Sequence, residues 1–236
     1  MNHWQRVRFT KLGKIRFLSH RDIARVWERS LRRAGVRVAY SEGFSPRPRL
    51  SFGLALSTGY ESLGEYLDID LEDDIDPAEL PALVTPSLPE GMDAQVACWI
   101  EPGTDSLQQA VTSSSWRTEV LDVTTTELAD RSAWSLAQAE LPITVERKGK
   151  EVVFDARPAI LNLEVHGNVL VSELATQPKS LRPAELLRAL EPSWREGRVL
   201  RTHQWTLVDG ARGEPIPFGD LGATATTSTP HAGARA

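Results

Sequence analysis

Apolar and basic positions alternate at the start of the chain, and the period then changes from two to about 3.6 residues. The segments "RVRFTK" and "KIRFLS", joined at "LG", predict a strand or a short hairpin with an arginine-rich outer face. Ser19 then opens a helix, and Asp22 three residues later is the partner of a capping box. One apolar stripe runs along this helix as far as Gly35, and it consists of Ile23, Val26, Trp27, Leu31 and Ala34.

The following segments predict a β-α-β-β-α-β order that occurs twice. After the helix, "VRVAY", "RLSFGLAL", "EYLDIDL" and "AQVACWI" read as strands, and "DPAELPAL" as a short helix with Asp76 at the N-cap and Pro77 at the first helical position. The second set comprises "WRTEVLDV", a helix over residues 126–140, a hairpin turning at 148–150, "NVLVSEL", the helix "RPAELLRAL" and the strand "VLRTHQWTLV". We therefore predict an α+β fold of two ferredoxin-like units in tandem, with antiparallel sheets and helices on one face.

A polar, turn-rich segment marks the connection between the two sets. We assign residues 1–101 to a basic N-terminal ferredoxin-like domain, 102–116 to a linker, 117–210 to a second ferredoxin-like domain and 211–236 to a disordered tail. "PAEL" occurs in each half, and each time a tryptophan, Trp99 or Trp205, follows its proline by 22 residues. This internal echo supports a duplication.

The net charge of −5 conceals two regions of opposite sign. Residues 1–53 contain thirteen arginines and lysines against three acids, whereas residues 54–80 contain nine acids and no basic residue. The first region predicts a face that binds a polyanion. The acidic run is typical either of a cation site or of a solvated sheet edge, and we favour the edge.

Several functional classes are excluded by composition and missing motifs. No apolar run is long enough to span a bilayer and no secretory leader is evident at the start, so we expect a cytoplasmic protein without a membrane partner. The single cysteine, Cys98, permits neither an internal disulfide nor a thiolate metal cluster, and we expect it in the core. The chain lacks nucleotide-binding signatures and its five histidines are scattered, so we expect no metal and no cofactor.

The candidate chemistry lies in a basic helix face and in the loop that follows it. Like charges at i and i+4 cost about 0.2–0.5 kcal/mol each, so a row of arginines indicates either a bound anion or stems that cover apolar surface. Two prolines in "SEGFSPRPRLSF" restrict the backbone and would present arginines at low entropic cost. The predicted nucleic-acid-binding residues are Lys14, Arg16, Ser19, His20, Arg21, Arg25, Arg29, Arg32, Arg33, Phe44, Arg47 and Arg49. His20 and Tyr40 are the only candidates for proton transfer.

Residues 5–72 resemble the radical SAM-linked (radical SAM-associated) proteins, a bacterial family with a domain of unknown function. This chain is similar to the free-standing version, which lacks the radical SAM domain. The matching motif residues are Lys14, Arg16, Ser19, His20, Asp22, Arg25, Arg32, Arg33, Tyr40, Glu42, Phe44, Pro46, Arg47, Pro48 and Arg49. Arg21 and Ser45 depart from the family pattern, which often has leucine and asparagine there.

The resemblance implies a radical SAM protein as partner, an RNA substrate such as tRNA or rRNA, and an association with a ribonuclease E/G-type enzyme. We therefore expect an RNA-binding or substrate-presenting accessory protein that acts in RNA modification or processing. One alternative is a metal-independent ribonuclease or small transferase that uses His20 and Tyr40. Another is a protein scaffold that does not bind RNA.

Overall fold

The fold is described here from a computed structural model, which covers residues 3–147, 149–208 and 210–216. The strands are β1 (Trp4–Lys11), β2 (Leu50–Phe52), β3 (Glu61–Asp70), β4 (Ala94–Trp99), β5 (Val111–Leu121), β6 (Pro142–Arg147), β7 (Lys150–Asp155), β8 (Ile160–His166), β9 (Val169–Ala175), β10 (Arg195–Val208) and β11 (Ala211–Gly213). The helices are α1 (His20–Arg33), α2 (Leu80–Val84), α3 (Leu107–Ala110), α4 (Thr125–Ala137) and α5 (Pro183–Leu190). Three 3₁₀ turns occupy Gly13–Phe17, Thr85–Ser87 and Arg157–Ala159.

Strands pair in the same antiparallel order within each half. In the first half β1 lies between β4 and β3, and β2 pairs with the other edge of β3, which gives β4-β1-β3-β2. In the second half β5 lies between β10 and β9, and β8 follows β9, which gives β10-β5-β9-β8. A short parallel pairing of β10 with β3 joins the halves into one nine-stranded sheet. The α+β class and the mostly antiparallel sheet are therefore as predicted.

The core of the first half lies between this sheet and the apolar stripe of α1. Ile23, Trp27 and Leu31 are buried against Val7 and Phe9 of β1. The rings of Phe9 and Trp27 meet edge to face at 5.0 Å. Burying each such side chain stabilises the fold by about 1.5–3 kcal/mol, so packing outweighs the repulsion among arginines on the opposite side of the helix.

A separate core in the second half packs α4 and α5 on β5, β9 and β10. Leu128, Leu186 and Leu190 from the helices are buried with Val120 and Leu170 from the strands. The predicted hairpin is present as a two-stranded sheet of β6 and β7, although Lys148 in its turn lies outside the described residues. Leu56 and Tyr60 from the first half also enter this core, so residues 54–60 bridge the two halves.

Three predicted elements of the first half differ in the structure. "KIRFLS" is a 3₁₀ turn, because the Gly13 amide bonds to Glu61 and the Lys11 ammonium to the Leu18 carbonyl, which folds the chain back. "VRVAY" makes only isolated bridges, and one of these faces Pro48, which has no N–H to extend a ladder. The helix predicted from Pro77 begins at Leu80, because Pro81 fits only the first turn.

Two segments predicted to be irregular are ordered strands. Residues 111–116, assigned to the linker, belong to β5, where Ser113 donates to Glu173 and Ser115 accepts from Trp205. The serine-rich composition therefore provides cross-strand bonds and not a flexible connection. Residues 211–213, assigned to the tail, form β11 against β10, whereas residues 217–236 lie outside the described part.

The acidic run divides into a buried and an exposed part: four of its nine acids lie in β3 in the interior of the sheet and not at the expected solvated edge, whereas Glu72, Asp74, Asp76 and Glu79 are exposed in the residues that follow. Glu61, Glu65, Asp68 and Asp70 are all buried. Among the described residues, no helix is long and apolar enough to cross a bilayer.

Candidate nucleic-acid interface

The basic helix begins at a fully formed N-cap. The Asp22 amide donates to Ser19 Oγ over 3.2 Å, and Ser19 Oγ donates to Asp22 Oδ2 over 2.6 Å. The hydrogen bond from Ser19 holds the pKa of Asp22 below its usual value. Gly35 ends the helix with φ of +74°, a backbone conformation that favours glycine.

The outer face of α1 carries five exposed arginines, at positions 21, 25, 29, 32 and 33. Arg21, Arg29 and Arg32 form no ion pair with any residue that the structure describes. Arg25 lies 3.4 Å from Asp22, with about half of its side chain exposed, and Arg33 reaches the Ser87 carbonyl. A surface pair of this kind contributes about 0–1 kcal/mol, so these guanidinium groups stay available to an external anion.

The proline-containing loop after the helix is exposed along residues 41–47. Its ends are tied together, since the Ser41 amide donates to the Arg47 carbonyl and the Arg47 amide to Ser41 Oγ. Phe44 at its tip is completely exposed, and Phe17, the other exposed phenylalanine of this half, is covered by the Arg16 guanidinium at 4.7 Å. Exposed aromatic rings beside arginines are the combination that stacks on nucleic-acid bases.

The loop lies beside the C-terminal half of α1 and not beside its N-cap. Arg32 lines a cavity of about 260 Å³ together with Tyr40 and Pro48. Arg47 adjoins this cavity through Pro48 and, among the described residues, forms no ion pair. The structure thus brings the loop to the end of α1 that carries Arg32 and Arg33, whereas within the described part of the chain it forms no hydrogen bond or ion pair with Arg21 or Arg25.

Two of the predicted residues already have acidic partners within the fold. Arg49 Nη1 lies 2.6 Å from Asp70 Oδ2, and its guanidinium covers the Trp4 ring at 5.2 Å. Arg16 lies 4.0 Å from the buried Glu61. These two arginines therefore contribute to the sheet as well as to the surface, unlike exposed Lys14, which has no such partner in the described part of the chain.

His20 and Tyr40 line different cavities. The His20 ring meets Phe52 edge to face at 5.3 Å, in a small cavity that it shares with Lys11 and Glu65. Tyr40 is half exposed and lines the cavity at the other end of α1. The contacts do not assemble these two side chains around one reacting bond, so a shared acid–base role gains no geometric support.

A buried ionic group was not predicted from the sequence. Arg201 donates to Glu65 through Nε at 3.1 Å and through Nη2 at 2.5 Å, and Nη2 also reaches the Leu54 carbonyl at 2.9 Å. Lys11 lies near Glu65, and burial lowers its pKa, with Glu65 opposing and Arg201 reinforcing the shift. The sequence contained one indication of this group. Lys11 lies two residues after buried Phe9, and Arg201 lies two residues after buried Val199. Because side chains alternate along a strand, each charged residue is expected on the same inward face as the apolar residue before it.

Comparison with known proteins gives a family and no activity. The chain matches, over residues 5–183, the family described as "Uncharacterized protein conserved in bacteria (DUF2344)". No curated protein matches it. Because the match covers well over half of the 236 residues, the chain belongs to this bacterial family.

Proposed function

We propose that this protein is an RNA-binding accessory subunit that presents RNA, such as tRNA or rRNA, to a partner enzyme of the radical SAM class. The observation that carries the proposal is the row of exposed arginines on α1 that lack strong acidic partners in the described part of the chain. An arginine face of this kind attracts phosphates without regard to sequence. Exposed Phe44 adds a stacking surface near one end of the row.

We also propose that each half is a ferredoxin-like unit and that the two arose by duplication. The support is the common strand order, β4-β1-β3-β2 and β10-β5-β9-β8, with two helices packed on the sheet in each half. The β6–β7 hairpin would then be an insertion in the second unit. Paired sheets of this plan present a broad surface, but function depends on the side chains that the surface carries.

The RNA proposal is tested by titrating full-length protein with a tRNA at several salt concentrations. The test variant replaces Arg21, Arg25 and Arg29 by alanine, which keeps helix propensity and removes three charges. The control variant replaces Arg131, Arg188 and Arg195 by alanine, exposed residues of the second half, so the change in net charge is the same.

We expect the wild type to lose affinity by about 10³–10⁵ between about 50 and 200 mM salt if six or more phosphates are contacted. The test variant should reduce the slope of log affinity against log salt by about 2–3, since each released phosphate contact contributes about 0.7–0.9. The control variant should leave the slope unchanged. If the wild type does not bind tRNA at low salt, or if both variants show the same slope of log affinity against log salt, the proposal is wrong.

The partner is tested by isolating the tagged protein with what it holds in cells and identifying the bound protein and RNA. A radical SAM protein together with RNA supports the complete proposal. An acidic protein without RNA would favour the scaffold alternative, and a ribonuclease E/G-type protein would place the complex in RNA processing. Cleavage of labelled RNA by the purified chain, abolished in His20→Ala, would instead favour the nuclease alternative.

A further inference from the structure

A cleft of about 200 Å³ lies where the two halves meet, and none of the arginines of α1 lines it. Residues 54–60 form its wall from the first half. The opposite wall comes from β5, from the end of β9 and from residues 180–183, which lead into α5. Because both halves supply its walls, the cleft exists only in the joined sheet.

The charged lining of the cleft is entirely basic among the described residues, and it consists of Arg182 and Arg201. Arg182 is exposed and has no ion pair with the described part of the chain, whereas the Arg201 side chain is only 2% exposed. Glu65 accepts from Arg201 through Nε and Nη2, and among the described residues Nη1 forms no hydrogen bond, so it can donate to an anion in the cleft.

One wall residue has an unused polar group. Ser114 lines the cleft, is 2% exposed, and its Oγ has no hydrogen-bond partner among the described residues. A buried hydroxyl without a partner destabilises a fold, and a ligand oxygen would satisfy it. This observation is independent of the arginines and points to the same space.

We propose that the cleft binds the phosphate group of a small phosphorylated ligand. Two guanidinium groups from different elements and the hydroxyls of Ser57 and Ser114 suit the several oxygens and the double charge of a phosphate monoester. Leu54, Leu174 and Leu181 would contact the less polar part. The volume is below the range of about 300–1,000 Å³ that encloses drug-sized ligands, so a phosphate with part of one nucleoside fits.

The site is tested by calorimetric titration of the full chain with inorganic phosphate, adenosine 5′-monophosphate and adenosine. The test variant is Arg182→Met, which removes an exposed charge without disturbing the core. The matched control is Arg188→Met, which replaces an exposed arginine of α5 that does not line the cleft. Titration with a short RNA carrying either a 5′-phosphate or a 5′-hydroxyl distinguishes a free ligand from an RNA end.

We expect the monophosphate and inorganic phosphate to bind and adenosine to bind at least tenfold more weakly than the monophosphate. Arg182→Met should weaken the monophosphate about tenfold or more, and Arg188→Met should not. Preference for the 5′-phosphorylated RNA identifies an RNA end as the source, and equal RNA binding identifies a free ligand. If neither inorganic phosphate nor the monophosphate produces heat of binding, or if both variants lose the same amount of affinity for the monophosphate, the proposed site is wrong.

This outcome is separable from that of the RNA surface. The cleft shares no lining residue with the arginine row, so the variant lacking Arg21, Arg25 and Arg29 should bind the monophosphate with unchanged affinity. Loss of tRNA binding with retained monophosphate binding supports both sites. Intact tRNA binding without monophosphate binding removes the cleft proposal alone.

Discussion

Replacing Glu65 by glutamine should destabilise the protein strongly, because it leaves the buried Arg201 guanidinium without its carboxylate partner. Arg201 is 1% exposed and Glu65 9% exposed, and two short contacts join them. Breaking one partner of a buried pair costs about 3–5 kcal/mol. For a chain of this size, 1 kcal/mol corresponds to about 2–4 °C in Tm, so Tm should fall by about 6–20 °C.

The free energy of unfolding would be measured by urea denaturation of the wild type, Glu65→Gln, Arg201→Met and the double variant. The double variant should cost less than the sum of the single ones, since each single change leaves a charge behind that the double change removes. The Leu54 carbonyl also loses its partner in both Arg201 variants, and this shared loss cancels in the comparison.

The exposed pair of Arg131 and Glu191 provides a matched control. Their atoms lie 2.7 Å apart, close to the separation in the buried pair, but their side chains are 45% and 28% exposed. Glu191→Gln should therefore cost only about 0–1 kcal/mol. If Glu65→Gln costs no more than this control, or if the two buried changes are additive, the ionic group does not stabilise the junction as argued.

Three further predictions concern the first half. Ser19→Ala should lower the free energy of unfolding by about 1 kcal/mol in urea denaturation at neutral pH, because the Asp22 amide loses the hydroxyl that caps it. The pKa of Asp22 is lowered in the fold, so the part of this difference that depends on ionised Asp22 should disappear as pH falls through that pKa. Phe44→Ala should weaken RNA binding by about 1–3 kcal/mol in a direct titration and leave Tm unchanged, and a changed Tm with unchanged affinity would contradict a stacking role. Lys11 has a lowered pKa in the fold, so the unfolded chain keeps the proton on Lys11 to a higher pH than the folded chain does. The free energy of unfolding of the wild type relative to Lys11→Met should therefore rise as pH increases toward 10.5. A difference that falls over this pH range would refute the lowered pKa of Lys11.

Periodicity was sufficient to predict the elements that pack on one face. The apolar stripe of Ile23, Trp27 and Leu31 predicted α1 correctly, because burial of that face determines where the helix lies. The sequence also predicted where this helix begins and ends. Capped helices and alternating strands in the second half were found for the same reason. Strand order was predicted only as a plan, because the pairing of β10 with β3 depends on contacts between distant residues.

Composition misled where polar residues are buried. The serines of residues 111–116 looked like a linker, but Ser113 donates across to Glu173 of β9 and Ser115 accepts from Trp205 of β10. Lys11 and Arg201 were not singled out from the sequence, yet in the sheet both are buried near Glu65. A single sequence does not reveal a buried charge when its partner lies more than a hundred residues away, as Glu65 does from Arg201.

The abrupt change of charge after residue 53 now has a physical explanation. The acids of β3 neutralise basic residues of β1, of β10 and of the residue before β2: Asp68 pairs with buried Arg6, Glu65 with Arg201, and Asp70 with Arg49. These carboxylates are used within the sheet, so they do not offset the arginines on α1, which pack against the sheet only through the apolar side of the helix. A chain of net charge −5 can therefore keep a strongly basic helix face, and the charge relevant to a polyanion is that of this face and not that of the whole protein. It follows that shifting the overall charge elsewhere, as in the second-half control variant, should leave the salt dependence of RNA binding intact.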